Sequence, residues 1–225
     1  MRRDFSLRAV IFANGDLEYP QAAREVIREN DLIVAADGGT HHCLELGLTP
    51  DVIIGDFDSL EEEILARLEQ QGVEIIRHPA QKDHNDLELA LRLVLERGFD
   101  EALVMAALGS RWDQTLANVL LPATARLEPL RIHVVDGPQE ILLLRAGDQL
   151  RVEGEGGDTL SLIPLGGDAQ GITTQGLEYP LNGGTLKFGS SRGISNVMLS
   201  SNASIRLKKG LLLCVVIHQN TRTMQ

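Results

Sequence analysis

Short apolar runs alternate with segments of helical periodicity over residues 8–137. The apolar runs have strand length: Ala9–Ala13, Leu32–Ala36, Val52–Ile54, Val73–Ile76, Ala102–Leu108 and Ile132–Val135. The segments between them predict helices over residues 20–29, 40–46, 61–71, 86–97 and 113–127. Continuous apolar strands that alternate with helices are typical of a mostly parallel sheet covered on both faces. We therefore expect an N-terminal α/β domain, Rossmann-like, over residues 1–140.

The pattern changes in the rest of the chain. Strand-like runs are separated there by turns rich in glycine, such as Gly166-Gly167 and Gly183-Gly184, and no segment has helical spacing. These runs predict strands at Ile141–Leu144, Thr159–Ile163, Thr185–Phe188, Asn196–Ser200 and Leu211–Ile217. Short strands with glycine-rich turns favour an all-β C-terminal domain, residues 141–225, built as an antiparallel sandwich or a small barrel.

Composition excludes several classes of protein. The 225 residues carry 21 basic and 32 acidic side chains, a net charge of −11, which argues against nucleic-acid binding. Cys43 and Cys214 are two isolated cysteines, as expected in a reducing compartment. The apolar run Leu211–Ile217 is too short to span a bilayer, and the charged first eight residues do not form a signal peptide. We therefore expect a cytoplasmic protein without membrane contact.

Aspartates follow four successive predicted strands. The segments are Asp37-Gly38-Gly39, Asp56-Phe57-Asp58, Lys82-Asp83-His84-Asn85-Asp86 and Gly109-Ser110-Arg111-Trp112-Asp113-Gln114. The carboxyl ends of parallel strands meet at one edge of the sheet, where open α/β sheets bind ligands. Asp56 and Asp58 would repel each other unless a cation lay between them, and Mg²⁺ is a usual partner of such carboxylates and of substrate phosphates. This edge is therefore predicted to be a functional acidic cluster.

Neighbouring residues allow both structural and functional interpretations. Asp86 and Asp113 stand where helix N-caps are expected, and Ser59 with Glu62 matches a capping box, so Ser59 is interpreted as a cap. Gly38-Gly39 before a helix start suits a phosphate. Two cations beside the acids could neutralise phosphate oxygens or form surface ion pairs: Lys82 and Arg111.

Four other known motifs do not predict a site in this sequence. The sequence has no Gly-Lys pair for a Walker A loop and no Gly-x-Gly-x-x-Gly at the first helix. Gly189-Ser190-Ser191-Arg192-Gly193 matches a nucleophile elbow but lies in the β-rich half with no acid after it. His41-His42-Cys43 has no second ligand pair, which argues against zinc.

Taken together, the motifs resemble those of the thiamine pyrophosphokinase (thiamine diphosphokinase) family, in the family's order. They cover roughly residues 35–200: Ala36-Asp-Gly-Gly39, Gly55-Asp-Phe-Asp-Ser59, Lys82-Asp-x-x-Asp86, Gly109-x-Arg-x-Asp113, Ser161-Leu-Ile-Pro164, Gly176-Leu-x-Tyr-Pro-Leu181 and Ser195-Asn196. The resemblance implies that the all-β C-terminal domain is a sandwich and that the protein is a homodimer with active sites at the interface. It also implies that Mg²⁺ is the cofactor and that a pyrophosphoryl group passes from ATP to thiamine, with release of AMP.

The resemblance also implies roles for single residues. Mg²⁺ and the phosphates would lie among four aspartates, with a cation on a phosphate: Asp56, Asp58, Asp83, Asp86 and Arg111. ATP would further contact Asp37. Gly38, Gly39 and Lys82 are also predicted to bind ATP, because the two glycines precede a helix start and Lys82 could neutralise phosphate oxygens. Thiamine would meet Asp113, Gln114, Tyr179, Ser195 and Asn196, with the Tyr179 ring stacked on the thiamine cation.

Two alternatives stay open from sequence. One is a pyrophosphokinase on the same scaffold that acts on a pterin alcohol. The other is a sensor that binds a nucleotide or thiamine without turnover. The intact acidic set argues against the sensor, because binding alone does not require every metal ligand.

Overall fold

In the computed structural model, which describes residues 7–79 and 84–219, strands and helices alternate as far as Gly137. The chain divides after this residue into two compact units, which are described separately. The elements of the first unit are β1 (Arg8–Phe12), α1 (Pro20–Glu25), β2 (Leu32–Ala36), α2 (Gly39–Glu45), β3 (Val52–Gly55), α3 (Glu62–Gln70), β4 (Glu74–Arg77), α4 (Asp86–Glu96), β5 (Glu101–Met105), α5 (Trp112–Leu120) and β6 (Arg131–Asp136). None of the helices in the described ranges is long and apolar enough to cross a membrane.

The six strands of this unit are parallel and lie in the order β4-β3-β2-β1-β5-β6. The chain thus moves outward from β1 to β4, and then crosses to the other side of β1 to add β5 and β6. The sheet therefore has a topological switch point between β1 and β5, the place where open α/β sheets bind ligands.

Both faces of the sheet are buried, which explains the continuous apolar strands. On one face Val10 and Phe12 of β1 share a core cluster with Ala23 of α1 and Cys43 of α2. The alternate residues of the strands, such as Ile11, are also fully buried. The helix α4 contacts β1, β2 and β3 and supplies buried residues that lie outside this cluster. A strand without a polar face is the expected result of helices on both sides.

The predicted helix over residues 113–127 is wrong in its second half. The helix α5 ends at Leu120, and two short 3₁₀ turns follow, Leu121–Ala123 and Ala125–Leu127. Pro122 has no backbone N–H to donate and its ring clashes with the preceding turn, so an α-helix cannot continue through it.

The elements of the second unit, within its described residues, are strands. They are β7 (Gln139–Arg145), β8 (Gln149–Glu153), β9 (Thr159–Gln175), β10 (Gly184–Leu186), β11 (Asn196–Val197), β12 (Asn202–Arg206) and β13 (Lys209–Ile217). Antiparallel pairs give the order β7-β13-β9-β12-β8, and β10 and β11 also pair with β9. Sixteen buried residues form the core of this unit, including Leu160, Ile172 and Leu212.

One prediction for this unit was wrong, and two strands were not predicted. Gly166-Gly167 does not separate two strands but lies inside β9, where the pairing register with β13 shifts. The φ angle of Gly166 is +66°, a conformation that glycine adopts without steric cost. The strands β8 and β12 were missed, because Gln149–Glu153 and Asn202–Arg206 alternate apolar with polar residues and have no apolar run.

His218 lies between two carboxylates just after β13. Its Nδ1 is 2.8 Å from Oδ2 of Asp158, and its Nε2 is 3.0 Å from Oε1 of Glu140. Burial by itself lowers the pKa of His218, but the two carboxylates outweigh it and hold the pKa above its ordinary value of 6.5. Burial likewise raises the pKa of Asp158, yet hydrogen bonds from two backbone N–H groups and His218 bring it below its ordinary range.

We expect His218→Gln to lower the free energy of unfolding by about 1 kcal/mol at pH 6 and by less at pH 8.5. A raised folded-state pKa means that the folded protein binds the proton more tightly. The contribution is therefore complete below the ordinary pKa of 6.5 and is lost as the pH rises through the folded-state value. Thermal unfolding of both proteins at the two pH values measures this difference, and an equal difference at both would contradict it.

Candidate active site

The backbone is strained at the carboxyl ends of three parallel strands. Three residues other than glycine have positive φ angles there: Asp37 after β2 (+46°), Phe57 after β3 (+62°) and Ala106 after β5 (+52°). Such conformations cost about 1 to 3 kcal/mol each and persist where the surrounding structure enforces them. Because strained residues cluster at functional sites, their concentration at one edge of the sheet makes this edge a candidate functional site.

Three carboxylates meet at this edge. Asp37, Asp56 and Asp58 each offer an oxygen atom, and these atoms lie within 4.8 Å of one another. Asp37 is only 5% exposed, and its Oδ2 accepts a 2.7 Å hydrogen bond from the Ser59 hydroxyl. Its Oδ1 is buried and has no hydrogen-bond partner among the described residues. A buried carboxylate oxygen without a partner is costly unless a cation or another donor completes its environment.

The carboxylates of the cluster repel one another. The negative charge of Asp56, followed by that of Asp37, raises the pKa of Asp58 above its ordinary value, and the charge of Asp86 adds to the effect. Asp86 is the first residue of α4 and contributes to the same negative field. The donor set is all-carboxylate, as Mg²⁺ prefers, so the residues present fit a hard divalent cation. The predicted ligand Asp83 and the predicted ATP contact Lys82 lie outside the described residues.

A cleft of about 460 Å³ opens at the switch point of the sheet. The loop after β1 and the loop after β5 form its walls, and backbone hydrogen bonds join them from Gly15 N–H to Ala106 O and from Asp16 N–H to Leu108 O. The N-terminal turn of α4, with Asp86, also lines it. The predicted residues Arg111, Asp113 and Gln114 line the same cleft.

Arg111 and Asp113 pair with each other in the described structure. The Arg111 Nη2 lies 2.7 Å from Oδ2 of Asp113, and both side chains are about two-thirds exposed, at 66% and 70%. The hydrogen bond from Arg111 holds the pKa of Asp113 below its ordinary value. An exposed ion pair contributes little to stability, so breaking it costs little free energy and either side chain can bind a ligand instead.

Gly39 is required by packing. A Cβ atom on Gly39 would lie 2.0 Å from the backbone carbonyl oxygen of Phe12, so the start of α2 lies directly against the end of β1. A Cβ atom on Gly38 would lie 2.1 Å from Oδ1 of Asn14, but that side chain can turn away. Packing therefore accounts for Gly39, and the contact of both glycines with a phosphate stays a prediction.

Three predicted residues of the second unit lie together. The side-chain amide of Asn196 accepts from the Tyr179 N–H at 3.0 Å and donates to the Tyr179 carbonyl at 2.8 Å. Ser195 has a φ of +60°, and its N–H donates to the Ser161 hydroxyl. The Tyr179 side chain is 65% exposed, so a fixed backbone presents an accessible aromatic ring.

Several structural interpretations from the sequence are corrected. Ser59 is not a helix cap: α3 has Glu61 at its N-cap, while the Ser59 hydroxyl binds Asp37. Asp86 is not a cap either, because Asn85 caps α4 by accepting from the Glu88 N–H. Asp113 lies inside the first turn of α5, whose N-cap is Arg111.

The side chains of the run His41-His42-Cys43 make structural contacts. His42 Nε2 lies 2.8 Å from the Gly15 carbonyl oxygen, and His41 Nε2 lies 3.2 Å from that of Ser59. Cys43 is buried, and burial raises the pKa of its thiol to about 12, which leaves it unreactive. Both histidines thus connect α2 to loops at the carboxyl edge.

Sequence reasoning missed part of the cleft. Asn14-Gly15-Asp16 follows β1, and Asn118 lies within α5, and all four residues line the cleft. The signal for the first group was present, since Asn-Gly-Asp directly follows an apolar run, as the other predicted segments do. Asn118 gave a weaker signal, an amide within the apolar second half of α5.

The family models and the curated relatives that match this chain belong to one family. The family model for the thiamin pyrophosphokinase catalytic domain matches residues 23–134, and the model for its vitamin B1 binding domain matches residues 149–212. The thiamine pyrophosphokinase of Bacillus subtilis is 30% identical over 187 residues, 83% of this chain and 87% of the relative. Thiamine pyrophosphokinase 1 of Oryza sativa is 26% identical over 80% of this chain and 77% of the relative.

Solved structures agree with the sequence relatives. The crystal structure of the Bacillus subtilis thiamine pyrophosphokinase superposes with a TM-score of 0.84 at 28% identity, over 95% of this chain and 100% of the other. That of the Geobacillus thermodenitrificans thiamin pyrophosphokinase gives a TM-score of 0.82 at 26% identity, over 97% and 100%. On this sequence and structural likeness, the chain belongs to the thiamine pyrophosphokinase family.

Proposed function

We propose that this protein transfers the pyrophosphoryl group of ATP to the hydroxyl of thiamine, giving thiamine diphosphate and AMP. The observation that carries the proposal is the cluster of Asp37, Asp56 and Asp58 at the carboxyl edge of the sheet, in a chain of this family. Phosphoryl-type transfer depends mainly on positioning and charge stabilisation, which a group of carboxylates around a cation supplies.

The carboxylates are proposed to hold Mg²⁺. The proposed ligands are Asp56, Asp58 and Asp86, together with Asp83, which lies outside the described residues. Asp37 is added to this set, because its buried Oδ1 has no hydrogen-bond partner among the described residues. Bound Mg²⁺ would neutralise the triphosphate and hold it for in-line displacement.

Other residues of the first unit are proposed to bind the substrates directly. Arg111 would leave Asp113 and neutralise phosphate oxygens, a step that an exposed ion pair permits at low cost. Lys82 and the N-terminal turn of α2 at Gly38-Gly39 would bind further phosphate oxygens. Asp113 and Gln114, which line the cleft, would meet thiamine.

The proposal extends to the organisation of the protein. We propose that residues 1–140 form a Rossmann-like catalytic domain that binds ATP and Mg²⁺. Residues 141–225 would form a β-sandwich that binds thiamine through Tyr179, Ser195 and Asn196. The protein would be a cytoplasmic homodimer with active sites at the interface.

Product analysis tests the reaction. The protein is incubated with MgATP and thiamine, and AMP and thiamine diphosphate are measured; parallel reactions replace thiamine with a pterin alcohol or omit Mg²⁺. We expect both products in equal amounts only with thiamine and the metal. Turnover of the pterin alcohol alone, or binding without AMP formation, would contradict the proposal in favour of the two alternatives, which the relatives do not support.

We expect Tyr179→Ala to weaken thiamine binding roughly 2- to 30-fold, the range of a lost cation–π contact, and to leave ATP binding unchanged. Isothermal titration calorimetry with each ligand measures this. Phe188→Ala is the matched control, because Phe188 is exposed to a similar degree, 62% against 65%, and has no proposed ligand. Equal weakening of both ligands by Tyr179→Ala would refute stacking.

A further inference from the structure

Two side-chain amides form a continuous link beneath the cleft. Asn118 donates from Nδ2 to the Ala107 carbonyl oxygen at 2.8 Å, and its Oδ1 accepts from Nδ2 of Asn85 at 3.2 Å. The Oδ1 of Asn85 in turn accepts from the Glu88 N–H at 2.8 Å, which caps α4. One side chain in α5 thus connects the loop after β5 with the first turn of α4.

The two ends of this link carry proposed active-site residues. Asp86 is the residue after Asn85, and the loop that begins at Ala107 leads to Arg111 and Asp113. Both amides line the cleft themselves. The residue before Ala107 is the strained Ala106, so the hydrogen bond from Asn118 also restrains a backbone conformation that is unfavourable by itself.

Packing alone does not account for these residues. Asparagine is a poor helix former, and burying its amide is costly unless the amide is hydrogen-bonded. Asn118 is 9% exposed and is the buried residue of α5, at a position where an apolar side chain such as leucine would be expected. A leucine would fill the space but could not define the separation between the loop and α4, whereas two directional hydrogen bonds can.

We propose that Asn118 is a positioning residue, which acts through Asn85 and Ala107 to hold Asp86 at a set distance from Arg111 and Asp113. The inference rests on the proposed function, because these three residues act on ATP and thiamine there. It assigns to the amide pair the alignment of phosphate contacts from two separate elements, a requirement of in-line transfer.

Asn85→Ser is the decisive variant, because serine retains N-cap capacity but is too short to reach Asn118. We expect kcat to fall about tenfold, with each KM changed less than about twofold and Tm lowered by only a few degrees. Asn118→Asp should lower kcat similarly. The double variant should be no worse than the more damaging single variant, because both changes break one link.

Asp51→Ala is the matched control. The Asp51 carboxylate accepts a 2.8 Å hydrogen bond from the Ile33 N–H at the opposite edge of the sheet. Its removal should lower Tm to a similar extent and leave kcat unchanged. Wild-type kcat in Asn85→Ser, or additive losses in the double variant, would overturn the inference.

A second readout separates the inference from the proposed function. Wild-type protein that forms no AMP from MgATP and thiamine would disprove the proposed function alone. The link is then judged by NMR: Asn85→Ser should shift the backbone amide resonances of residues 107–113, to which Asn118 connects it by hydrogen bonds. Unshifted resonances would overturn the positioning role whatever the activity.

Discussion

Asp56→Asn and Asp58→Asn are each expected to lower turnover by at least about 100-fold while the protein stays folded. Asparagine has nearly the shape of aspartate but carries no charge, so each change removes one unit of negative charge from the cluster with Asp37. The Mg²⁺ and the triphosphate would then lose both affinity and alignment. Steady-state formation of AMP measures turnover, and circular dichroism with thermal unfolding measures folding.

Asp51→Asn is the matched control for this prediction. It makes the same substitution at the other end of the same strand, where the carboxylate binds the Ile33 N–H. We expect turnover close to that of the wild type. Near-normal turnover in either Asp56→Asn or Asp58→Asn would disprove the metal assignment. Removing the repulsion should make neither variant less stable, since the charge of Asp56 is the main cause of the raised pKa of Asp58.

Gly39→Ala is expected to have the largest effect on stability, lowering the free energy of unfolding by about 3 kcal/mol or more. The new Cβ would lie 2.0 Å from the backbone carbonyl oxygen of Phe12, and the backbone of residue 39 fixes the Cβ position, so no side-chain rotation relieves the clash. The start of α2 would have to move away from β1. Urea unfolding monitored by circular dichroism gives the change.

Gly156→Ala provides the comparison for Gly39→Ala. Its Cβ would have 3.3 Å to the nearest atom, the Leu199 carbonyl oxygen, and it needs no positive φ angle. We expect a change below about 1 kcal/mol. If Gly39→Ala were as stable as this control, close packing would not be the reason for the glycine, and the predicted phosphate contact would be the better explanation.

Much of the first unit could be predicted from the apolar pattern. Runs such as Val52–Ile54 and Ala9–Ala13 are apolar on both faces, which only strands covered on two sides require. Parallel strands in turn place their carboxyl ends on one edge, so the meeting of Asp37, Asp56 and Asp58 followed from the sequence. The two alternating strands of the second unit were missed, because a half-buried strand differs little from a polar loop.

Hydroxyl and amide side chains were assigned least well. Ser59 satisfies the pattern of a capping box, but its hydroxyl binds Asp37, which lies 22 positions away. Asn118 follows the apolar Leu116 and Ala117 in its helix, and its partner Asn85 is 33 positions away. Local sequence rules count neighbours along the chain, whereas a hydrogen bond is decided by which elements pack together.

The sequence by itself determined that strands and helices alternate, that strand-end acids share an edge, and that this edge suits a cation. It did not determine the order of the strands, because central strands such as β1 and β3 are apolar on both faces and any neighbour would bury them. Only the tertiary structure places β5 beside β1, with β2 on the other side. With β1 and β5 adjacent, the loops that follow these two strands form the walls of one cleft. Asn14, Asp16 and Asn118 also line this cleft.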